Sequence, residues 1–185
     1  MKKRAILIHG WEGSPKGGWQ PWLRRELEKK GFAVDVPAMP DSARPTMSSW
    51  VEHLCSVVGT PDSNCYLNGH SLGCITILRY LETLKKGERI GGAVLVAGFS
   101  DNLGYEQLTS FFATPIDWSA IRTHCDTFVS IMSDNDPYVP LKHGDVFRQQ
   151  LGAEVIVQHD MKHFSGDDGI IELPIALESL LKIAK

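Results

Sequence analysis

The chain has 185 residues, of which 43% are hydrophobic and 22% charged, and its formal net charge is −3. These values predict one globular domain spanning residues 1–185 and exclude the basic surface that nucleic-acid binding needs. No apolar run approaches the ~20 residues that would cross a bilayer, so we expect no membrane partner.

The first predicted element is a buried strand from Arg4 to His9. Basic residues precede its apolar run, as in a signal peptide, but the run ends at His9 and Gly10 without a small-residue cleavage site. The four cysteines show neither a C-x-x-C pair nor a zinc-binding spacing with histidine. Such cysteines are typical of buried thiols in a reducing compartment. We therefore expect a cytoplasmic protein without a metal site.

Short apolar runs alternate with amphipathic helical stretches along the rest of the chain. The predicted strands cover residues 4–9, 33–36, 65–68, 93–97, 127–132 and 154–158. The predicted helices cover residues 19–30, 47–58, 72–86, 142–151 and 173–184, and residues 99–126 are predicted to be mostly irregular. This alternation predicts an α/β fold with a mostly parallel sheet and helices on both of its faces.

Residues 69–73 read Gly-His-Ser-Leu-Gly and lie between a predicted strand and a predicted helix. A serine in so sharp a turn has a strained backbone, and the glycines two residues to either side remove the clashes that side chains would cause. The turn exposes the hydroxyl of Ser71, and the helix that follows directs its free amides toward developing negative charge. The pattern predicts a nucleophile elbow.

A nucleophilic serine needs a general base, and two of the seven histidines follow the last predicted strand. His159 directly continues that strand, whereas His163 lies in the loop beyond it. We favour His163, because a loop past the last strand can bring an imidazole over the elbow. This choice also agrees with the chain order of nucleophile, acid and histidine in such folds.

The acid should come from the segment that follows strand 127–132, where Asp134 and Asp136 compete. Asp134 could simply bond to the amides of its own turn, as aspartate often does. Asp136 precedes Pro137, which favours an extended backbone. We favour Asp136 for this reason.

These residues predict acyl transfer by a serine, histidine and aspartate. His163 would accept the proton of Ser71 during attack on a carbonyl group, and Asp136 would orient the imidazole. The backbone amides of Leu72 and of Trp11, in the glycine-rich loop after the first strand, would bind the oxyanion. No cofactor is required.

Further segments carry a resemblance to a known family. They are residues 9–11 (His-Gly-Trp), 19–23 (Trp-Gln-Pro-Trp-Leu), 39–41 (Met-Pro-Asp), 95–99 (Leu-Val-Ala-Gly-Phe), 133–137 (Ser-Asp-Asn-Asp-Pro) and 163–164 (His-Phe). With the elbow, they resemble the small serine hydrolases of the retinoblastoma-binding protein nine type, particularly the bacterial YdeN-like members. The resemblance covers nearly the whole chain. It implies a three-layer α/β-hydrolase fold with little or no lid, and Ser71, Asp136 and His163 as the triad.

The family name records association with a retinoblastoma-type pocket through an L-x-C-x-E segment. The nearest match here, residues 72–76, ends in threonine instead of glutamate. We therefore expect no such partner.

The expected function is hydrolysis of a small ester or related acyl substrate through an acyl-enzyme, with amidase, thioesterase or peptidase activity as variants. Residues 99–118 are the only candidate cover of the site. Four aromatic residues are predicted to form an apolar wall beside the serine: Trp11, Phe111, Phe112 and Phe164. The alternative is a catalytically silent protein of the same fold that acts as a protein-binding module.

Overall fold

A computed structural model describes residues 2–184. Six parallel strands form one sheet. They are β1 (Arg4–Ile8), β2 (Ala33–Asp35), β3 (Cys65–His70), β4 (Gly92–Val96), β5 (Phe128–Ser133) and β6 (Glu154–Gln158). Their order across the sheet is β2-β1-β3-β4-β5-β6, and each neighbouring pair is parallel. The predicted mostly parallel sheet is confirmed.

Helices cover both faces of the sheet and give three layers. One face carries α1 (Gln20–Lys29) and α6 (Pro174–Ile183), and the other carries α2 (Met47–Val58), α3 (Leu72–Leu81), α4 (Trp118–His124) and α5 (Lys142–Leu151). Successive strand residues point to opposite faces, so Leu95 of β4 packs in one core and its neighbour Val96 in the other. Within residues 2–184, no helix has the length and apolar character needed to cross a membrane.

The strand order reverses between β1 and β3. The chain leaves β1 toward β2 on one side and later returns to β3 on the other side. Ile8 at the end of β1 is paired with Gly69 near the end of β3, so the loops after these two strands start side by side and then diverge. Such a reversal opens a crevice at the carboxyl ends of the strands, where ligands bind in α/β sheets.

Helix α3 is shorter than the sequence predicts, since it ends at Leu81 and not near residue 86. Its hydrogen bonding tightens at this point: the amide of Thr83 donates to the carbonyl of Tyr80, three residues back, instead of four. The hydroxyl of Thr83 donates to the same carbonyl at 2.7 Å. Side-chain competition of this kind favours the end of a helix over its continuation.

The stretch predicted as irregular, residues 99–126, contains a 3-10 helix, Glu106–Phe112, and helix α4. Asp117 caps α4, because its carboxylate accepts a hydrogen bond from the amide of Ala120 at 2.9 Å. Aspartate is a preferred N-cap residue, so this pattern was a usable signal for the missed helix.

Candidate active site

Ser71 lies between β3 and α3 in a backbone conformation that few residues adopt. Its φ is 53° and its ψ is −116°. The amide of Ser71 donates to the carbonyl of Val96 at 2.8 Å, which fixes the turn against β4. A Cβ atom on Gly69 would lie 2.7 Å from the amide nitrogen of Cys74, and one on Gly73 would lie 2.4 Å from the carbonyl oxygen of Ile8. Only glycine fits at these two positions.

A chain of hydrogen bonds joins Ser71, His163 and Asp136. The hydroxyl of Ser71 lies 2.9 Å from Nε2 of His163, and Nδ1 of the same ring lies 2.8 Å from Oδ2 of Asp136. A carboxylate only accepts, so Nδ1 carries the proton and Nε2 is left free to accept from the serine. The Asp136 side chain is 1% exposed and that of His163 is 14% exposed.

The other carboxylate oxygen of Asp136 also accepts hydrogen bonds. Oδ1 accepts hydrogen bonds from the amides of Tyr138 and Val139 at 2.8 and 3.0 Å. These two amides fix the rotation of the carboxyl group, because they face one oxygen and leave the other toward His163. The orientation of the imidazole is thereby set by the backbone of the loop after β5.

The two competing sequence candidates, Asp134 and His159, form a hydrogen bond with each other and take no part in the Ser71–His163–Asp136 chain. Nδ1 of His159 lies 2.6 Å from the Asp134 carboxylate, and the His159 side chain is 82% exposed. The hydrogen bond with Asp134 raises the pKa of His159. With Asp160, these residues are the one group within residues 2–184 whose potential metal-ligand atoms lie within 4.8 Å of one another. Their mutual hydrogen bonds account for that cluster.

A clamp between two loops holds the segment that carries His163. The side chains of residues 133–135 each accept a hydrogen bond from one of the backbone amides of residues 160–162, at distances of 2.8 to 3.1 Å. Positions 160, 162 and 164 are non-glycine residues with positive φ. Such backbone is strained and persists only where its surroundings hold it. The 133–135 clamp therefore helps to hold the backbone segment that carries His163.

The backbone of His163 has two further partners. The amide of His163 donates to the Asp168 carboxylate at 3.2 Å, and its carbonyl lies 2.8 Å from Nε2 of His70. Burial, together with the nearby His163 ring, lowers the pKa of His70 to about 4. His70 is therefore neutral at pH 7, and its Nε2 donates to the carbonyl. The variable position of the elbow thus positions the predicted base.

The two predicted oxyanion donors, the amides of Trp11 and Leu72, donate no backbone hydrogen bond within residues 2–184. Leu72 begins α3, where amides lack partners within the helix. The loop that carries Trp11 comes close to the nucleophile, since a Cβ on Gly10 would lie 3.1 Å from Cβ of Ser71. Both amides are therefore free to bind a ligand.

The ring of His9 braces this loop, a role that the sequence did not reveal. Its Nδ1 lies 2.8 Å from the carbonyl of Gly10, and its Nε2 accepts from the amide of Met39 at 3.0 Å. Nε2 must be unprotonated for this pair of bonds, so Nδ1 donates. Burial lowers the pKa of His9, which favours this neutral form.

Two clefts meet at Ser71 and His163. The first, here named the apolar arm, has a volume of about 360 Å³. It is lined by Trp11, Leu72 and a set of mostly apolar residues from two loops: Phe99, Leu103, Tyr105, Leu108, Pro137, Tyr138 and Val139. The second, the polar arm, has a volume of about 320 Å³ and is lined by residues 9–14, 17–20 and 163–167 together with His70. The segment predicted as a cover therefore supplies one wall of the apolar arm.

The aromatic wall that the sequence predicts is partly wrong. Phe111 is fully buried in the core against Trp50, and Phe112 packs against Phe99 away from both arms. Adjacent residues of a 3-10 helix diverge by about a third of a turn, so the pair does not share a face. Phe164 belongs to the lining of the polar arm but is fully buried. Trp11 lines both arms.

Arg79 of α3 fixes the wall formed by residues 105–115. Its guanidinium donates to the carbonyls of Phe111 at 2.8 Å and Thr114 at 2.6 Å, and it pairs with Glu82 at 2.8 Å. The Arg79 side chain is almost completely buried. Because buried charge requires such partners, the wall and α3 form one unit.

Comparison with known proteins places the chain among enzymes. A protein-family model described as serine hydrolase matches residues 5–182. The chain belongs to the serine hydrolase family. Its relatives include YdeN of Bacillus subtilis (strain 168), which is 35% identical over 182 residues, or 97% of this chain and 95% of that protein. Serine hydrolase RBBP9 of Rattus norvegicus is 27% identical over 170 residues, with 89% of each chain covered.

Solved structures confirm the α/β-hydrolase fold of this serine hydrolase. The crystal structure of the ydeN gene product from B. subtilis has a TM-score of 0.93 at 32% identity, and 98% of each chain is covered. Est1E from Butyrivibrio proteoclasticus, bound to ferulic acid, has a TM-score of 0.77 at 15% identity, with 99% of this chain and 90% of that chain covered. The second similarity concerns the fold alone.

Proposed function

We propose that this serine hydrolase cleaves small carboxylic esters through an acyl-enzyme on Ser71. The observation that carries the proposal is the hydrogen-bonded chain from Ser71 through Nε2 and Nδ1 of His163 to the buried carboxylate of Asp136. A serine hydroxyl is a weak nucleophile at neutral pH and needs an adjacent base. The hydrogen bonds of His163 support its assignment as that base, in the required tautomer.

In the proposed first step, the Ser71 oxygen attacks the ester carbonyl while its proton passes to Nε2 of His163. The tetrahedral oxyanion receives hydrogen bonds from the amides of Trp11 and Leu72, which donate no backbone hydrogen bond within residues 2–184. His163 then donates its proton to the leaving alkoxide, and the acyl group stays on the serine. Water activated by the same imidazole releases the acid.

The shape of the site supports esters of modest size. The apolar arm, with about 360 Å³, accommodates a short acyl chain or an aryl group. No lysine or arginine lines either arm in the part of the chain that the structure describes, which disfavours anionic acyl groups. Short-chain aryl esters are therefore the proposed test substrates.

A cytoplasmic location is part of the proposal and is supported by the cysteines. All four cysteines lie within the described residues and are free thiols. Burial raises the pKa of Cys65 to about 11 and that of Cys125 to about 12, so both stay protonated. Protonated, buried thiols resist oxidation and are typical of structural cysteines in a reducing compartment.

A fluorophosphonate probe tests the hydrolase proposal. We expect it to label the wild-type protein at neutral pH, to leave Ser71→Ala unlabelled, and to react far more slowly with His163→Ala. His159→Ala is the matched control, because its exposed ring lies outside the Ser71 hydrogen-bond chain, and it should label like wild type. An unlabelled wild-type protein would favour the silent protein-binding alternative.

A further inference from the structure

The two arms at Ser71 differ in chemistry. Leucine, phenylalanine, tyrosine and valine side chains dominate the apolar arm, whereas glycines and serines recur in the polar arm. Where glycine lines a cleft, backbone amides and carbonyls are accessible to a ligand. Gly18 and Gly166 bring two loops of this arm close together, since a Cβ on Gly166 would lie only 3.2 Å from the amide nitrogen of Gly18. The polar arm thus combines small residues with polar side chains, among them Glu12, Gln20 and Asp167.

Gln20, the first residue of α1, lines the polar arm and has an unpaired side chain. The residue is 3% exposed, yet neither Nε2 nor Oε1 has a hydrogen-bond partner within residues 2–184. Seven buried side-chain atoms in that range lack a partner, and only the two of Gln20 belong to a residue of either arm. Buried amides are nearly always paired, so an unpaired one beside a cleft points to a partner from outside the described protein residues.

The charges around the site limit which chemical groups of a ligand could bind to the side-chain amide of Gln20. Glu12 and Asp167 are exposed and line both arms, and no lysine or arginine does so within residues 2–184. A carboxylate or phosphate would meet two like charges and no cation. A neutral amide offers one donor and one acceptor, so it pairs best with a neutral group that also has both.

We propose that the polar arm is a binding subsite for a carboxamide group of the substrate, and that the side-chain amide of Gln20 recognises it. The subsite rests on the proposed hydrolase function and specifies its substrate class: an ester with an apolar group in one arm and a carboxamide-bearing group in the other. Both polar atoms of Gln20 are almost fully covered, so recognition requires the side chain to turn toward the arm, where a carboxamide supplies one donor and one acceptor.

Two pairs of esters test the subsite, each comparing a carboxamide with an isopropyl group of the same shape. The first pair is phenyl 5-carbamoylpentanoate and phenyl 6-methylheptanoate, which carry the carboxamide or isopropyl group on the acyl side. The second pair is 4-carbamoylphenyl butyrate and 4-isopropylphenyl butyrate, which carry it on the alcohol side. The readout is the kcat/KM ratio of carbamoyl to isopropyl ester in wild type and in Gln20→Leu. In at least one pair we expect the substitution to lower this ratio by about fivefold or more, the effect of one lost hydrogen bond.

The control variant is Gln150→Leu, which makes the same change at an exposed position of α5 and should leave both ratios unchanged. Gln20→Met, of similar volume, repeats the test should Gln20→Leu fold poorly. Both Gln20 variants should melt no lower than wild type, because they remove unpaired polar atoms, whereas a structural amide would make them melt lower.

The outcomes separate the subsite from the reaction. If esters are hydrolysed but Gln20→Leu changes neither ratio by fivefold, the subsite is wrong and the hydrolase proposal stands. If the wild-type protein hydrolyses no ester and the fluorophosphonate does not label Ser71, the proposed function itself is wrong.

Discussion

Replacing Asp136 with asparagine tests the proposed chemistry most directly, because the structure dictates how the new amide must lie. Oδ1 of Asp136 accepts from the amides of Tyr138 and Val139 at 2.8 and 3.0 Å. The asparagine carbonyl must take this place, since an NH₂ group there would face two donors. The NH₂ group then faces Nδ1 of His163, which has to accept instead of donate.

This reversal places the imidazole proton on Nε2, next to Ser71, where it blocks acceptance of the serine proton. We expect kcat/KM for an aryl ester to fall by about 10,000-fold, or about 5.4 kcal/mol of transition-state stabilisation, while the fold is retained. The assay is initial-rate hydrolysis of 4-nitrophenyl butyrate, with circular dichroism as the check on folding.

Asp134→Asn is the matched control, because it makes the same replacement of a carboxylate by an amide two residues before Asp136. Asparagine keeps the oxygen that accepts from the amide of Asp160, so the 133–135 clamp survives and only the exposed bond to His159 is altered. We expect a loss of less than about tenfold. A larger loss in Asp134→Asn than in Asp136→Asn would refute the assignment of the acid.

Two further predictions concern stability. Gly73→Ala would put a Cβ 2.4 Å from the carbonyl oxygen of Ile8, so we expect it to cost about 3 kcal/mol or more and to lower the melting temperature by roughly 6–12 °C. Gly17→Ala, whose nearest contact is 3.5 Å, should melt within about 2 °C of wild type, and similar melting of the two variants would contradict the steric argument. The pKa of His70 is lowered to about 4 in the folded protein, so the unfolded chain takes up its proton first as the pH falls. His70 therefore contributes stability above pH ~6.5 that is lost toward pH ~4, by about 3 kcal/mol, and urea unfolding should show a smaller loss over this range in His70→Gln. Equal pH dependence in the two proteins would contradict this.

Much of the fold and part of the site were predictable because they depend on local rules. The strands and most helices follow from apolar periodicity, and the elbow follows from glycines that only a strained turn requires. The preference for Asp136 and His163 over Asp134 and His159 came from chain order and loop position. The hydrogen bonds that join Ser71 to His163 and His163 to Asp136 agree with it. Their catalytic roles stay predictions.

The sequence by itself determined the succession of the strands and of most helices along the chain. It also determined the elbow at Ser71 and the small set of partners that could reach it, since neighbouring residues carry that information. Only the tertiary structure decided how those partners are held. His70 and His163 are 93 residues apart in the chain, yet one donates to the carbonyl of the other. The 133–135 clamp, the brace at His9 and the burial of Phe111 likewise depend on packing between distant segments. No local sequence pattern predicts such contacts, because they form only when distant segments of the chain pack together on folding.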